Sequence, residues 1–584
     1  MFDLTQVFAD MSQKLEAQQK RAEKSAKRST ITMQRKRKQD KRMIAVLDME
    51  TDNFDNQSNV DIKPFVACIY APELGHLIIW NEDLEQFISQ LIEQIEALPN
   101  KYIIYAHNGG KFDYMFLINK LRGKVSFKGR AIMCASIGNH EIRDSLHLIP
   151  EGLKSYNKQA FDYNKLTRTN RHKHKQDIIK YLESDCTYLY EIVKAFTDSY
   201  GIKLSIGQAS MAQLKLSYPQ CANIDDVKDA FLRNFFFGGR VQCFKGKIDQ
   251  TAPFIYYDVN SMYPYVMSNY KHPIGNVYTK RHGLPSDDTC FICISCFSNG
   301  AFPVKVKNKG TMFPKEYGTY YVSIHEYNAA LDLGLITKCR IKFIVDCNVV
   351  TTFDKFVLPL YEQRQAAKQK LRSLKAQHDT ESQLYFDTKK DDMFYKYLLN
   401  NGYGKFCQNP RNFQEYYLTN PCQVPELEPE TWGDSPSDQF YDYWIWSRPI
   451  KDLRFYNVGT GASVTGAARA VLLRAIHSAK GLVYCDTDSL ICRSLDNVSI
   501  DETKLGSWKV EAQIARVIVA GKKLYAYETS DGKRVVRAKG ASLLAFEDIE
   551  AMVRGKVINN RAFGATIARD GTSHYMERRI GATA

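Results

Sequence analysis

Tyr484-Cys485-Asp486-Thr487-Asp488-Ser489 sits between two apolar pairs, Leu482-Val483 and Leu490-Ile491. The pattern reads as strand, turn, strand, with carboxylates at the tip. With each fixed position at about 1 in 20, a Y-x-D-T-D-S string arises by chance in about 1 in 5,000 chains of this length. It is the sharpest clue in the sequence. Upstream, Tyr257-Asp258-Val259-Asn260-Ser261-Met262-Tyr263-Pro264 places another carboxylate at a strand end, before a helix. Between the two, Leu358 to about Asn400 is rich in Lys, Gln, Leu and Ala and predicts a helical pair. Its second helix carries Lys396, Asn400 and Tyr403, spaced i, i+4, i+7 and therefore on one face. A cation, an amide and a flat ring on one face suit a nucleoside triphosphate.

A second carboxylate set lies nearer the N-terminus. Met43-Ile44-Ala45-Val46-Leu47 reads as a buried strand ending in Asp48-Met49-Glu50. Residues i and i+2 of a strand face the same way, so both carboxylates point to one side. They repel unless a cation lies between them, and hard cations such as Mg²⁺ take oxygen ligands. Tyr102-Ile103-Ile104-Tyr105 predicts another strand, and Asn108-Gly109-Gly110-Lys111-Phe112-Asp113 follows it with a third carboxylate. Gln176 to Tyr200 predicts a long helix stopped by Gly201. On it, Tyr181 and Asp185 share a face. Two metals held by such a set clamp the attacking water and leaving oxygen in phosphodiester hydrolysis.

The 584 residues are enough for three or four domains. Hydrophobic residues at 44% and charged residues at 25% describe a globular chain, not a disordered one. No apolar run reaches the roughly 18–20 residues of a membrane helix, and no signal peptide is expected. The 14 cysteines have no pairing rhythm, which excludes a small disulfide scaffold and fits a reducing cytosol. Of the net charge of +15, residues 1–42 hold +7. They read as an appended basic arm. The overall balance suits a polyanion partner. Residues 409–448, Pro-containing and aromatic, predict an irregular insertion. Cys290, Cys293 and Cys296 are spaced C-x2-C-x2-C, but no second CxxC completes a zinc set. His172 and His174 read as part of a basic loop.

In this order, the motifs resemble those of the family B DNA polymerases. DxE at 48–50, NxxxFD at 108–113 and YxxxD at 181–185 resemble the exonuclease motifs. DxxSxYP at 258–264, KxxxNxxYG at 396–404 and YxDTDS at 484–489 resemble the polymerase motifs. Phe236-Phe237-Gly238-Gly239-Arg240 is similar to the YxGG linker motif of the protein-primed branch, Thr465 to Arg469 to its TxxAR motif, and Lys523-Leu524-Tyr525 to its KxY motif. Ser145-Leu146 and Lys158 are similar to its extra exonuclease motifs. The wording of 103–117, 255–264 and 463–492 most resembles the tectivirus type of phage polymerase, and the likeness spans about 43–545.

The resemblance implies a ribonuclease H-like 3′–5′ exonuclease domain followed by a right-hand polymerase, an α/β and α+β multidomain chain. Its implied divisions are the arm at 1–42, exonuclease at 43–200, linker at 201–250 and palm at 251–303 and 449–510. Fingers are expected at 357–408 and thumb with tail at 511–584. A priming-protein insertion is expected at 304–356, and a strand-displacement insertion at 409–448.

Site roles follow by the same resemblance. Asp258 and Asp488 hold the metals of nucleotidyl transfer, supported by Asp486. Arg364, Lys396 and, more weakly, Lys368 neutralise the triphosphate. Tyr263 sits under the sugar, Asn400 shares the nucleotide face, and Tyr403 packs on the nascent pair. Asp48, Glu50 and Asp185 are exonuclease metal ligands, with Asp113 in a second-metal role. Tyr181 orients the water and Lys158 assists the leaving phosphate. Asn108, Phe112, Ser145 and Leu146 touch the single-stranded 3′ end. Gly238, Gly239, Arg240, Thr465, Arg469, Lys523 and Tyr525 contact DNA. Expected cofactors are two Mg²⁺ per active site, with Mn²⁺ as substitute. Expected partners are template and primer DNA, dNTPs and a terminal priming protein, for a monomer in the cytoplasm, that of the host cell if viral.

Two departures stand out. Phe236 replaces the usual Tyr, which puts the coupling of the two active sites in question. Gly402 costs up to about 1 kcal/mol in a helix, and marks either a close approach to a base or drift. Alternatives remain open: priming by an ordinary nucleic acid, an enzyme working mainly as exonuclease, or an inactive DNA-binding replisome component. The seven carboxylates present weigh against the last.

Overall fold

The computed structural model describes residues 42–52, 62–152, 161–307, 310–425, 432–450, 456–541, 544–561, 566–567, 573–574 and 577–582. Contacts divide the chain into Met1–Met43 and Ile44–Ala584, and the architecture below is that of the second unit. Residues 1–41 of the expected basic arm, and Lys158, lie outside the described residues.

The N-terminal half is built on a ten-stranded sheet. Its strands run in the order Gly75–Trp80, Pro64–Ala71, Met43–Thr51, Tyr102–Ala106, His140–Asp144, Ala131–Ile137 and Gly123–Lys128, and then continue into Gln414–Thr419, Trp444–Pro449 and Asp438–Gln439. The apolar run Met43–Leu47 is a strand because Ala45, Val46 and Leu47 are fully buried in the sheet. The predicted long helix is Lys175–Tyr200, ended by Gly201 at φ +72°, a left-handed conformation that glycine adopts without steric cost. Ile178, Leu182, Leu189, Val193 and Phe196 of this helix pack with Val46, Phe65, Val66, Ile103 and Tyr105 of the sheet. Met393, Phe394 and Leu398 of the Gln383–Cys407 helix join the same core. That shared core fixes the helix carrying Lys396 against the N-terminal module.

The last three strands of the sheet correct the expected irregular insertion at 409–448. Gln414–Thr419 and Trp444–Pro449 form an antiparallel pair, with Leu418 opposite Ile445. Tyr416, Tyr417 and Leu418 pair with Val125, Lys124 and Gly123. Arg122 pins the graft by donating from Nε to Asn420 Oδ1 at 2.6 Å and from Nη2 to the Asp442 carbonyl at 2.8 Å. Leu418, Ile445 and Trp446 are buried, so the aromatic content of this stretch covers a sheet face.

The second half centres on a seven-stranded sheet. Its order is Arg534–Ala538, Leu524–Thr529, Trp508–Gly521, Ile248–Val259, Ser489–Cys492, Tyr484–Asp486 and Val241–Cys243. Behind it the Gly- and Ala-rich helix Val458–Ser478 lies almost wholly inside the protein. The predicted helical pair is Asp354–Ala376 and Gln383–Cys407. Four expected boundaries fall inside elements: 250/251 in the strand Ile248–Val259, 356/357 in the helix Asp354–Ala376, 448/449 in the strand Trp444–Pro449 and 510/511 in the strand Trp508–Gly521. The linker expected at 201–250 contributes Val241–Cys243 to the sheet. A further four-stranded sheet, Tyr278–Arg281, Ile336–Cys347, Thr289–Asn299 and Lys315–Ser323, takes strands from both sides of the boundary expected at 303/304. In it Cys290 neighbours Cys347, Cys293 neighbours Tyr321 and Cys296 neighbours Cys339, so the three thiols do not converge. His172 and His174 sit beside Glu82 and Asp177. Among the described residues no helix is long and apolar enough to cross a membrane.

Candidate active site

Four of the non-glycine residues with left-handed backbone lie in the sequence motifs: Asn108 at φ +59°, Ser261 at +55°, Thr487 at +61° and Lys523 at +59°. Such conformations cost of order 1 kcal/mol each and persist where surrounding contacts over-determine them. The motif loops are thus held in set shapes.

In the seven-stranded sheet, Asp486 and Ser489 pair across a two-residue loop of Thr487 and Asp488. The neighbouring strand sets Asp258 opposite Ser489, and the Val259 N–H donates to the Asp488 carbonyl at 2.9 Å. Asp258, Asp486 and Asp488 therefore converge. Burial and the two neighbouring carboxylates push the Asp488 carboxyl up to about 7. Burial also raises Asp258, opposed by Lys509, whose Nζ lies 3.2 Å from Asp258 Oδ2. Asp486 accepts from Lys523 Nζ at 2.6 and 2.7 Å. Three carboxylates held against their own repulsion, with lysines on two of them, make a donor set that suits a divalent cation.

The linker motif supports this loop from behind. The Thr487 N–H donates to the Arg240 carbonyl at 2.7 Å, and Val241 and Gln242 pair with Asp486 and Cys485. A Cβ on Gly239 would lie 2.8 Å from the Thr487 side chain, so only glycine fits there. Phe236 packs on an apolar cluster with Leu232, Phe235 and Phe291.

Several residues expected to contact DNA are buried. Arg240 is 3% exposed, with its guanidinium 4.1 Å over the Phe313 ring and burial lowering its pKa to about 10. Arg469, also 3% exposed, donates from Nε to Glu326 Oε1 at 2.7 Å and from Nη2 to Oε2 at 3.0 Å. Its Nη1 donates to the Phe237 and Gly238 carbonyls at 2.6 and 2.8 Å. Arg469 thus ties the linker and the Ile324–Asp332 helix to the Val458–Ser478 helix. Thr465 is buried and donates to the Ala462 carbonyl. Tyr525 is buried with its hydroxyl 3.3 Å from that of Tyr256. Ser145 is buried and donates to the Ala106 carbonyl. Each of these side chains is buried against the protein itself. Arg469→Met leaves Glu326 as an unpaired buried charge, and we expect a loss of about 3–5 kcal/mol in urea unfolding. Wild-type stability with weakened DNA affinity would restore the contact role.

On the face expected to hold the nucleotide, the Tyr263 and Tyr403 rings stack at 4.0 Å and 13°. Arg364 Nε donates to Asp392 at 3.1 Å and its Nη1 to Ser261 Oγ at 3.4 Å, and Lys368 lies close enough for the Arg364 charge to help lower its pKa. Asn400 is exposed on the other helix of the pair, Gln383–Cys407. Lys396 departs from expectation: its Nζ pairs with Glu151 of the N-terminal module at 2.9 Å. A Cβ on Gly402 would meet Ser210 Oγ at 2.9 Å and Phe356 at 3.5 Å. The close approach that glycine permits is therefore to the protein's own core, not to a base.

The second carboxylate set forms on the ten-stranded sheet. Oxygens of Asp48, Glu50 and Asp185 lie within 4.8 Å of one another. Asp113 is 3% exposed, its Oδ1 has no hydrogen-bond partner, and burial with the Asp48 charge holds its carboxyl well above the usual range. A buried oxygen without a hydrogen-bond partner among the described residues, close enough to feel the Asp48 charge, fits the edge of a cation site. The Tyr181 ring stacks on Phe161 at 4.1 Å, its hydroxyl is 3.3 Å from that of Tyr163, and it feels the charges of Asp185 and Glu50. Phe112 packs edge-on against Phe116. Asp144 accepts backbone N–H bonds from Asn108, Gly110 and Leu146 and so shapes the loop carrying Asn108 and Phe112. Asp144, Lys509, Glu326 and Glu151 escape the motif reading. Only Asp144, adjacent to Ser145, carried a local sequence signal.

Comparison with known proteins places the chain. A family model described as DNA polymerase type B, organellar and viral, matches residues 153–431. The DNA-directed DNA polymerase of Enterobacteria phage PRD1 is 37% identical over 540 residues, which are 90% of this chain and 92% of that one. The chain belongs to the type B DNA polymerases. As such it is a DNA-directed DNA polymerase, and the family implies a divalent metal. A probable DNA polymerase of Agaricus bitorquis is 24% identical over 563 residues, 79% of this chain and 69% of that one. In fold, the chain matches phi29 DNA polymerase complexed with primer-template DNA and incoming nucleotide, at TM-score 0.68 and 16% identity. That match covers 93% of this chain and 100% of the other. The polymerase thus has the exonuclease-plus-right-hand architecture that its motifs imply.

Proposed function

We propose that this polymerase replicates a linear viral or plasmid genome by protein-primed, strand-displacing synthesis and proofreads its product with a 3′–5′ exonuclease. The observation that carries the reading is the pairing of Gln414–Thr419 with Gly123–Lys128. It joins the strands Gln414–Thr419, Trp444–Pro449 and Asp438–Gln439 to the sheet of the N-terminal half, which supports reading them as a wall beside the polymerase half. A loop hanging free could not part a duplex; a wall braced by backbone hydrogen bonds can. The first insertion, at 304–356, supplies the surface for a terminal protein, whose hydroxyl would replace a primer's 3′ end.

Asp258 and Asp488, with Asp486 held by Lys523, form the polymerase metal site, and Asp48, Glu50 and Asp185, with Asp113 beside them, form that of the exonuclease. When bound, two Mg²⁺ at each site, or Mn²⁺ in their place, stabilise charge on the attacking and leaving oxygens. The chain's own groups do the rest. Arg364 and Lys396, assisted by Lys368, bind the triphosphate. Tyr263 carries the sugar and Tyr403 the base, and their stacked rings separate to admit a nucleotide. Lys523 stands at Asp486 on the side where the primer strand approaches. In the exonuclease, Tyr181 orients the water, and Asn108, Phe112 and Leu146 face the 3′ end.

Extension of a primed single-stranded circle with Mg²⁺ and dNTPs tests displacement. We expect products longer than the circle. A variant with 420–443 replaced by a short Gly/Ser turn should copy the circle and stop at one circumference. If the wild type also stops there, displacement is not intrinsic and a helicase is required.

A further inference from the structure

Glu151 belongs to no sequence motif, yet it holds one of the residues assigned to nucleotide binding. Its Oε1 accepts from Lys396 Nζ at 2.9 Å and from the Tyr397 hydroxyl at 2.6 Å. Lys389, two turns upstream on the same helix, also faces this carboxylate. The charge that would meet a triphosphate is thus committed to an internal anion. The geometry is anchored on both sides. Leu148 and Ile149, just before Glu151, are buried in one core with Met393, Phe394 and Leu398 of the lysine's helix.

We propose that Glu151 is an internal competitor of the dNTP triphosphate for Lys396, a positioning residue that sets how much nucleotide the polymerase needs. The inference rests on the reading of Lys396 as a triphosphate ligand. The contact is exchangeable, because the two side chains keep 38% and 30% of their exposure. A half-exposed pair is a weak one, and an incoming triphosphate brings several charges against a single carboxylate. Arg364 is also paired, but with Asp392 of the adjoining helix. Of these two cations, Lys396 draws its partner from the exonuclease module, five residues beyond Leu146 of the 3′-end segment. Nucleotide arrival therefore breaks a contact between the polymerase and exonuclease modules, and its absence restores it.

Glu151→Gln keeps the shape and removes the charge. On a primer–template, we expect the KM for the next dNTP to fall about three- to five-fold, the factor that corresponds to loss of a weak ion pair, with kcat unchanged. The equilibrium Kd of the same dNTP for the complex on a dideoxy-terminated primer should fall equally. Lys396→Met should raise KM, and Glu151→Gln added to it should change nothing further. If Lys396→Met raises KM but Glu151→Gln leaves KM and Kd at wild-type values, the competition is refuted and the role of Lys396 stands. If Lys396→Met itself leaves KM unchanged, the reading of Lys396 fails and the inference with it. A Glu151→Gln variant whose KM rises or whose kcat falls would make Glu151 a structural brace and overturn the proposal.

Discussion

Asp488→Ala should abolish DNA synthesis and leave degradation of a single-stranded primer at the wild-type rate. The carboxyl of Asp488 is pushed up to about 7 because it is buried beside Asp258 and Asp486. The protein therefore holds this group in place at an electrostatic cost that a bound cation relieves. Asp258 and Asp486 already have lysine partners, at 3.2 and 2.6 Å. Removing Asp488 takes away the one of the three carboxylates that, among the described residues, has no direct lysine ion pair and feels Lys523 only at longer range. Loss of a single charge stabiliser in phosphoryl transfer costs on the order of 10³–10⁵-fold, and we expect at least the lower figure in primer extension. Asp258→Ala should behave alike. The exonuclease carboxylates stand on a different sheet, and mutations at separate, unconnected sites act independently. Loss of both activities in Asp488→Ala would break the two-site account.

Asp48→Ala combined with Glu50→Ala should do the reverse. These side chains project from one strand, with partners Cys68 and Val66 in the neighbouring strand, and meet Asp185 from the long helix. Their removal leaves Asp185 without the two carboxylates whose oxygens lie within 4.8 Å of its own. We expect 3′-end hydrolysis to fall by about 10³-fold or more, read as release of the terminal nucleotide from labelled single-stranded DNA. Extension of a matched primer should continue at the wild-type rate, while a mismatched end should now persist. Hydrolysis at the wild-type rate would remove these residues from the exonuclease.

The carboxylates were legible in the sequence because their geometry is local. A strand sets Asp48 and Glu50 on one side, a helix sets Tyr181 and Asp185 on one face, and a two-residue hairpin presents Asp486 and Asp488. The arginines were not legible, because an arginine that binds phosphate and one that binds a buried carboxylate look alike in a motif. The partner of Arg469, Glu326, lies 143 residues earlier in the chain. Lys509 reaches Asp258 only through the register of two strands far apart in sequence. The stretch 409–448 looked irregular because its pairing partner is the edge strand near residue 125, and no local pattern announces a distant edge. Gly402 was legible as a close approach, but its neighbour is Ser210 and not a base.

The most direct test of the account is a 5′-labelled primer–template incubated with Mg²⁺, with and without dNTPs, in three parallel reactions. The wild type should shorten the primer without dNTPs and lengthen it with them. Asp488→Ala should shorten it in both conditions, and the Asp48→Ala, Glu50→Ala variant should lengthen it with dNTPs and leave it intact without them. A variant of either set that loses both shortening and lengthening would contradict two separate centres in one polymerase.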